Sequence, residues 1–512
     1  MEEAPYEIMS SLHFKVLPPR RSLYAKAPQL AEVAGQVNVL GDYIVMHASK
    51  VVPLKTHRGA LRFWAEGVAP LKAGFTPGAR FIVTRHGAGV LLKLDETGPR
   101  KVSKKQYASG KEMPVIDVNS AVLDPLKGHE VIRAVFGPGQ VYLTPLASEV
   151  RRQRRLVRLK ERLTSGDPLA TMGVAAGGGV LTHATHTGLA DEGVESEVVA
   201  HNEIREDLSD HALDHNDALS ARTQILNMPL QELAFDEEIL KRVGEVDIVE
   251  LGLPCSGASK AGRAKRALSI PEEHPDVGHL VVGALALLAK LNPAVCLFEN
   301  VPPYAKSASA QLIRQQLRDM GYDTHEIELF GPDFGALEAR RRWCLVGITK
   351  GILFDINSLM PAPFEPQTLS DIFEPPEAVA HRWSTMPGLK AKQVRDIDEG
   401  KGFRMQIYDG PETEVNTLTK GIAKNRSTDP KFRHPDNPEL LRIPTAREHA
   451  RCKGVPEQLI EGLSQTTAHE LLGQGIVYQP FRQIARHIGR ALKAWARDSE
   501  VVANSNAFKV AA

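Results

Sequence analysis

The stretch of sequence that decides the fold is DIVELGLPCSGAS at residues 247–259, in which an apolar run opens directly into a proline and a cysteine. The run is short and is followed by small turn residues, which predicts a buried strand. Open α/β sheets bind their ligands at the carboxyl ends of the strands. We therefore expect Cys255, which follows Pro254, to lie where chemistry takes place.

A second buried strand is predicted for AVCLFENV at residues 294–301, and it ends in Glu299 and Asn300. A carboxylate that is buried without a partner is costly. An acid at the carboxyl end of such a strand is therefore more readily explained by function than by folding.

A third strand carries a run of arginines in LEARRRWCLVGI at residues 337–348. Side chains alternate across a strand, so Arg340 and Arg342 point to one face and Arg341 to the other. Two guanidinium groups on one face suit a carboxylate or a phosphate, although a solvated edge gives the same pattern.

A glycine-rich turn is predicted at residues 173–180, GVAAGGGV, before the strand-like EVVAHNE that ends in Glu203. In nucleotide-binding α/β sheets such a turn lets the backbone approach the ligand, and the acid after the next strand accepts ribose hydroxyl groups. Taken alone, the pattern fits a structural turn equally well.

Strand and helix patterns alternate between residues 171 and 350, which predicts an α/β domain with a mainly parallel sheet. The strands are expected at residues 172–176, 197–200, 247–251, 294–298, 323–329 and 343–348.

The order of these motifs resembles that of the DNA cytosine-5 methyltransferases. After the arginines come a variable stretch, TAREHARCKGVPEQL at residues 445–459 and LLGQGIVYQPFRQIARHIGRAL at residues 471–492. The resemblance covers residues 171–492. It implies the Rossmann-like, mainly parallel sheet of S-adenosylmethionine-dependent methyltransferases, with a small target-recognition region, here behind a β-rich N-terminal domain.

The resemblance also implies catalytic roles. Cys255 corresponds to the nucleophile that adds to C6 of a cytosine, Glu299 to the acid that holds the base, and Arg340 and Arg342 to the two arginines of their motif. A thiolate suits that addition, and the cytosine has to flip out of the duplex to reach it.

The implied cofactor is S-adenosylmethionine, with no metal. Val174 stands where the family usually has phenylalanine, Asn227 where an aspartate is frequent, and GQG at residues 473–475 replaces GNS. These departures concern the affinity for the cofactor more than the nucleophile. The residues expected to bind the cofactor are Val174, Gly178, Glu203, Ile204, Asn227, Pro254 and Gly475.

DNA contacts are expected on both sides of the base. NTLTKG at residues 416–421, the recognition segment, looks like the family's threonine-leucine element and contributes Thr417. Basic side chains after the nucleophile suit the phosphates of the duplex. These side chains are Lys260, Arg263, Lys265 and Arg266.

The N-terminal region is basic and β-rich. Residues 1–170 carry 26 Lys and Arg against 15 Asp and Glu, whereas the rest of the chain carries 37 against 47. Residues 69–94 and 124–146 look like two copies of one strand-turn-strand unit, which resembles the swapped-hairpin DNA-binding domains of AbrB-type regulators. The region is therefore expected to bind DNA or to dock another protein.

The expected domain boundaries follow these changes in composition and in predicted secondary structure. It comprises a β-rich N-terminal domain at 1–147, a basic helical linker at 148–170, the catalytic domain at 171–350, the target-recognition region at 351–442, C-terminal helices that complete the catalytic domain at 443–497, and a tail at 498–512.

Composition narrows the class of protein. The four cysteines form no CxxC pair, and the best apolar run, residues 280–288, is far shorter than the roughly 20 residues that cross a bilayer. We therefore expect a cytoplasmic protein, bacterial or encoded by a mobile element or phage. Duplex DNA is its expected partner, no membrane is involved, and a cognate restriction enzyme is left open.

Two other functions stay open at this point. The same scaffold serves RNA cytosine-5 methyltransferases, and the altered cofactor turn would also suit a catalytically weak DNA-binding regulator. The residues do not reveal the recognised DNA sequence or the oligomeric state.

Overall fold

The computed structural model describes residues 48–254, 257–258 and 266–498. The expected tail at 498–512 lies almost entirely outside the described residues. The chain divides into two compact units, Met1–Leu146 and Ala147–Ala512.

The first unit is built on one antiparallel sheet of nine strands, ordered β5-β3-β4-β9-β8-β1-β2-β7-β6. Only Val102 separates β5 from β6, so the two ends of the sheet belong to one run of chain and the sheet closes into a barrel. The strands are β1 (Ala48–His57), β2 (Ala60–Glu66), β3 (Arg80–His86), β4 (Gly89–Leu94), β5 (Arg100–Lys101), β6 (Ser103–Gln106), β7 (Glu112–Asn119), β8 (Val131–Gly137) and β9 (Gln140–Pro145).

Two similar halves make up this barrel. In the first, β2 leads through helix α1 (Val68–Lys72) to the hairpin β3-β4; in the second, β7 leads through a 3-10 helix (Ala121–Leu126) to the hairpin β8-β9. The halves meet where β2 pairs with β7 and β4 with β9, both antiparallel. The two copies expected from the sequence are therefore the two hairpins, while the AbrB-like role stays a prediction.

The second unit contains a seven-stranded sheet in the order β12-β11-β10-β13-β14-β17-β15. Only β17 runs against the other strands. The expected α/β fold with a mainly parallel sheet is confirmed. The strands are β10 (Leu169–Val174), β11 (Ser196–Asn202), β12 (Gln224–Leu226), β13 (Ile248–Leu251), β14 (Val295–Asn300), β15 (Tyr322–Phe330) and β17 (Arg341–Thr349).

Helices cover both faces of this sheet, and each face has its own buried apolar cluster. The helices of the second unit as a whole are α2 (Ala147–Ser165), α3 (Val180–Ala190), α4 (Glu206–His215), α5 (Leu230–Leu233), α6 (Glu237–Val243), α7 (Leu280–Leu291), α8 (Ala308–Asp319), α9 (Leu369–Ile372), α10 (Pro376–Val379), α11 (Pro387–Asp398), α12 (Ala446–Cys452), α13 (Gln465–Gln474) and α14 (Tyr478–Asp498). None of the helices that the structure describes is long and apolar enough to span a membrane.

Helix α2 carries the arginine-rich segment, and two of its arginines, Arg155 and Arg158, have partners within the protein. Arg155 is fully buried over the ring of Tyr322 and donates to the side chain of Asn292. Arg158 and Asp247 form an ion pair at 2.7 Å. Arg155 and Arg158 therefore have structural partners at the amino-terminal edge of the sheet.

A small subdomain is formed by β16 (Glu338–Ala339), just before β17, and by the chain between β17 and α12. Its strands are short: β16 pairs in parallel with β19 (Val415–Asn416), and β18 (Ile407–Tyr408), β20 (Lys431–Arg433) and β21 (Leu441–Arg442) form a second sheet. A separate apolar cluster that includes Leu337, Leu418 and Cys452 holds it together. Leu337 and β16 directly precede β17, which carries the run of arginines and is called the arginine strand below. The cluster therefore connects the recognition segment, which contains Leu418, to the arginine strand.

Candidate active site

The candidate site is the carboxyl edge of the parallel strands β11, β10, β13 and β14. Their register places these ends side by side, with Val174 beside both Asn202 and Leu251, and Leu251 beside Phe298. Each strand then delivers a motif expected from the sequence, because parallel strands end at the same edge.

The glycine turn after β10 is sharply wound. Gly177 and Gly179 have φ angles of 56° and 73°, in the left-handed region that favours glycine. Ala175, with φ of 49°, adopts the same conformation without being glycine. A Cβ added at Gly177 would meet nothing within 4 Å, so the backbone is open to a ligand there.

Two side chains at the carboxyl end of β11, Glu203 and His201, hold the glycine turn in place. Glu203 accepts a hydrogen bond from the backbone N–H of Gly177 at 2.8 Å, and its other oxygen accepts from Arg205 N at 3.0 Å. His201 donates from Nε2 to the carbonyl oxygen of Gly177 at 3.2 Å. Burial lowers the pKa of His201 to about 4, so the ring stays neutral. Its role was missed by the sequence analysis.

Gly178 has a structural reason to be glycine. A Cβ at this position would lie 2.4 Å from Cδ1 of Leu471, at the start of the last expected motif. Gly475, from the same motif, follows α13 and accepts a hydrogen bond from Lys453 through its carbonyl oxygen at 3.3 Å. The side chain of Val174 is buried in the apolar core, so only its backbone faces the edge.

Ile204 and Asn227 are accessible at this edge. Ile204 follows Glu203 and exposes 66% of its surface, which is unusual for a large apolar side chain. Asn227 is exposed just after β12, and the buried Asn202 holds its loop by donating to the carbonyl oxygens of Leu226 and Met228, both at 2.9 Å. The sequence analysis did not identify Asn202.

The loop that carries Pro254 is held from the neighbouring strand. Asn300, buried at the end of β14, donates to the carbonyl oxygen of Leu253 at 3.1 Å. Its own carbonyl oxygen accepts from Val301 N at 2.9 Å. Asn300 thus fixes the backbone just before Pro254-Cys255, a positioning role that the sequence analysis did not assign.

Glu299 and Arg342 form an ion pair at this edge, with Nε and Oε1 2.5 Å apart. Their side chains are 12% and 8% exposed, so the pair is largely desolvated. Among the described residues, no partner is seen for the second oxygen of Glu299. A carboxylate held at one oxygen can present the other to a ligand in a fixed direction.

Arg340 contacts protein rather than open space. Its Nη2 donates to the carbonyl oxygen of Gly473 at 2.7 Å, and Nη1 lies 3.3 Å from Oε1 of Glu338. Arg340 and Arg342 are buried, whereas Arg341 is exposed beside Glu328, as the alternation predicts. Arg342 therefore reaches Glu299 at the edge, whereas Arg340 reaches the chain after α13, and the catalytic roles of both stay predictions.

Thr417 is exposed in the recognition segment and donates to the carbonyl oxygen of Ala339 at 3.4 Å. Arg266 is exposed and lies 3.3 Å from Asp276. The remaining expected residues of this group lie outside the described residues, as does the nucleophile. They are Cys255, Lys260, Arg263 and Lys265.

The other three cysteines are buried and free. Burial raises the pKa of Cys296 to about 12, and it also raises the pKa values of Cys344 and Cys452. Thiols in such surroundings are poor nucleophiles. Within the described ranges, no group of three or more His, Cys, Asp and Glu side chains is arranged to hold a metal ion.

Comparisons with known proteins identify the family that the chain resembles. A family model described as C-5 cytosine-specific DNA methylase matches residues 183–490. The Type II methyltransferase M1.ScrFI of Lactococcus lactis subsp. cremoris is 24% identical over 263 residues, which cover 49% of this chain and 64% of that protein. The Type II methyltransferase M.NlaX of Neisseria lactamica is 26% identical over 254 residues, which cover 48% of this chain and 77% of that protein.

A solved structure shares the fold. The Dnmt2 methyltransferase of S. pombe superposes with a TM-score of 0.51 at 18% sequence identity, covering 64% of this chain and 99% of that one. At this identity the likeness concerns the fold alone.

Proposed function

Because the chain belongs to the C-5 cytosine-specific DNA methylase family, we propose that it transfers a methyl group from S-adenosylmethionine to carbon 5 of cytosine in duplex DNA. The observation that most supports this proposal is that three of the expected motifs lie at one edge of the seven-stranded sheet. The glycine turn, the loop of Pro254 and the Glu299–Arg342 pair all follow neighbouring strands of one sheet.

The edge fits the cofactor. The open backbone at Gly177, the acid Glu203 and the exposed apolar side chain of Ile204 offer, in that order along the edge, contacts for a polar end, a ribose and a flat ring. When bound there, S-adenosylmethionine supplies an electrophilic methyl group. Glu203 would keep its bonds to the turn and still offer lone pairs to hydroxyl groups, since a carboxylate has about four acceptor sites.

Cys255 starts the reaction on the flipped cytosine. Its thiolate forms a bond to C6, and the electron pair of the C5–C6 double bond becomes available at C5. C5 could then accept a methyl group, whose bond to the sulfonium sulfur would break and leave its electron pair on that sulfur as a neutral thioether. Loss of the C5 proton to a base and breaking of the C6–sulfur bond then restore the ring and the thiolate. Asn300 holds the backbone at Leu253, two residues ahead of Cys255.

Glu299 holds the base during these steps. Arg342 holds one carboxylate oxygen at 2.5 Å, and the carboxyl group can accept from the exocyclic amine of cytosine and share a proton with N3, where charge changes as the sulfur adds. A largely desolvated pair strengthens such a bond, because few competing water molecules reach it.

The test is transfer of a tritiated methyl group to duplex DNA by Cys255→Ala and, as a matched control, Cys296→Ala. We expect the first change to abolish transfer and the second to retain it, since Cys296 is buried inside β14. Activity of purified Cys255→Ala near that of the wild type would refute the mechanism. Transfer RNA assayed in parallel separates the RNA alternative, and a wild type no better than Cys255→Ala would favour the regulator.

The barrel of the first unit is proposed to add contacts to the same duplex. Residues 48–146 carry 15 Lys and Arg against 7 Asp and Glu, and Lys50 and Lys55 are exposed on β1. Each phosphate contact that is lost lowers the slope of log K against log salt by about 0.9.

Removing two barrel charges tests this role in the full chain. We expect Lys50→Gln with Lys55→Gln to reduce that slope by up to about 2. The control, Lys241→Gln with Arg242→Gln, removes two exposed charges of the second unit. Equal slopes for the wild type and the barrel variant would argue for a protein-docking role instead. A cognate restriction enzyme and the cytoplasmic location stay predictions.

A further inference from the structure

A buried ion pair lies between the arginine strand and the recognition segment, at a place where no catalytic role has been assigned. Glu338 and Lys453 are both completely buried, and Oε2 of the acid lies 2.9 Å from Nζ of the lysine. Burial alone would raise the pKa of Glu338, but the charges of Lys453 and Arg340 outweigh it, and the pKa lies below its ordinary value. The acid is therefore charged.

The other oxygen of Glu338 reaches the recognition segment. Oε1 accepts a hydrogen bond from the backbone N–H of Leu418 at 2.8 Å, and Leu418 is itself fully buried. Its neighbour Thr417 is exposed, and so are Asn416 and Lys420. A single carboxylate thus sets the position of a short backbone segment from which several side chains extend into solvent.

The Glu338–Lys453 pair also contacts Arg340 and the residues that follow α13. Oε1 of Glu338 lies 3.3 Å from Nη1 of Arg340, which holds Gly473. Lys453 donates to the carbonyl oxygen of Gly475, and a Cβ at Gly473 would lie 2.1 Å from Lys420 N. The recognition segment, the arginine strand and the glycines after α13 are therefore packed around one buried acid–base pair. Burial, followed by the charge of Arg340, lowers the pKa of Lys453 to about 7, although Glu338 opposes this shift.

We propose that Glu338 and Lys453 act as a positioning pair that holds the recognition segment in register with the arginine strand, so that discrimination between DNA sequences depends on this pair. The inference rests on the proposed function. Side chains that read base edges need a fixed backbone, because hydrogen bonds weaken steeply with small changes in distance and angle.

The pair is hard to rearrange. A charge left without its partner in the interior is strongly disfavoured, so the two side chains cannot separate while the protein stays folded. Thermal motion of the recognition segment relative to the arginine strand is limited for that reason. An apolar contact of the same size would allow more sliding, because dispersion forces have little directionality.

Glu338→Gln tests the pair with a minimal change of shape. An amide has one acceptor side and one donor side, so whichever way it turns, either Lys453 or the N–H of Leu418 loses its acceptor. The double variant Glu338→Gln with Lys453→Gln repairs this. The amide at position 453 can accept from the amide at position 338, whose own oxygen is then free for Leu418.

The measurement is the ratio of kcat/KM on the recognised duplex to kcat/KM on a duplex with one base pair changed, the recognised sequence being found first by bisulfite sequencing with the wild type. This ratio does not depend on the fraction of enzyme that is folded. We expect Glu338→Gln to lower it about tenfold, as the loss of one hydrogen bond to a charged group implies. The double variant should restore most of it.

Glu448→Gln is the matched control, since Glu448 forms another buried ion pair, with Arg442, but does not touch the recognition segment. It should lower thermal stability and leave the ratio unchanged. An unchanged ratio in Glu338→Gln, or an equal loss in Glu448→Gln, would overturn the proposal. If the wild type itself transfers no methyl group, it is the proposed function that fails.

Discussion

Glu250 lies in the middle of β13, behind the glycine turn, and is expected to make stability depend on pH. The side chain is almost completely buried, and neither carboxylate oxygen has a well-formed hydrogen bond within the described residues. Burial raises its pKa from 4.5 to about 7, against a smaller opposing effect of the Thr182 and Thr185 hydroxyl groups. The folded protein thus keeps a proton that the unfolded chain releases.

The sign and size of the effect follow from this difference. Between pH 4.5 and about 7 the unfolded state binds fewer protons than the folded state, so stability falls as the pH rises through this window. The full difference corresponds to about 3 kcal/mol, reached once the pH exceeds the folded pKa. Below pH 4.5 the carboxyl group is neutral in both states and contributes no such penalty.

Glu250→Gln removes the ionisation and retains the shape. Urea unfolding of the variant and the wild type at pH 5, 6, 7 and 8 should show the free energy of unfolding of the variant rising relative to the wild type, by about 2.5 kcal/mol across the series. Glu238→Gln, at an exposed position of α6, is the control and should show no such trend. A difference that is constant with pH would refute the reasoning, because only a titrating group gives a pH-dependent difference.

Two further changes test the cofactor edge and the arginine helix. Glu203→Ala should raise the Kd for S-adenosylmethionine at least tenfold in calorimetry, since it removes both the expected ribose contact and the bond to Gly177; an unchanged Kd would show that the acid does not face the ribose. Arg155→Met should lower the free energy of unfolding by about 3 kcal/mol, because the acceptors Asn292 and Met320 lose their donor; a melting temperature equal to that of the wild type would show that the helix is not anchored there.

Much of the catalytic unit could be predicted from the sequence. Each of the six predicted strands overlaps an observed one, because a short apolar run between turn residues allows few other structures. The placement of Glu299 and Pro254 at one edge followed as well, since parallel strands end on the same side. That Arg340 is buried and Arg341 is exposed could also be predicted, because successive side chains of a strand point to opposite faces.

The partners of the charged residues were decided by the tertiary structure alone. Nothing local distinguishes Arg155 and Arg158 of α2, which bond to residues of the sheet unit, from the arginines of a solvated basic face. Arg340 is directed to a carbonyl oxygen rather than to the open edge. Glu338 and Lys453 are 115 positions apart, and their pairing depends on how β16 and α12 pack. The sequence by itself determined which elements form and which motifs end at the edge, because periodicity and turn residues act over a few positions. Where each charge finds its partner depends on contacts distant in the chain, which exist only after the sheet and the small subdomain have packed together.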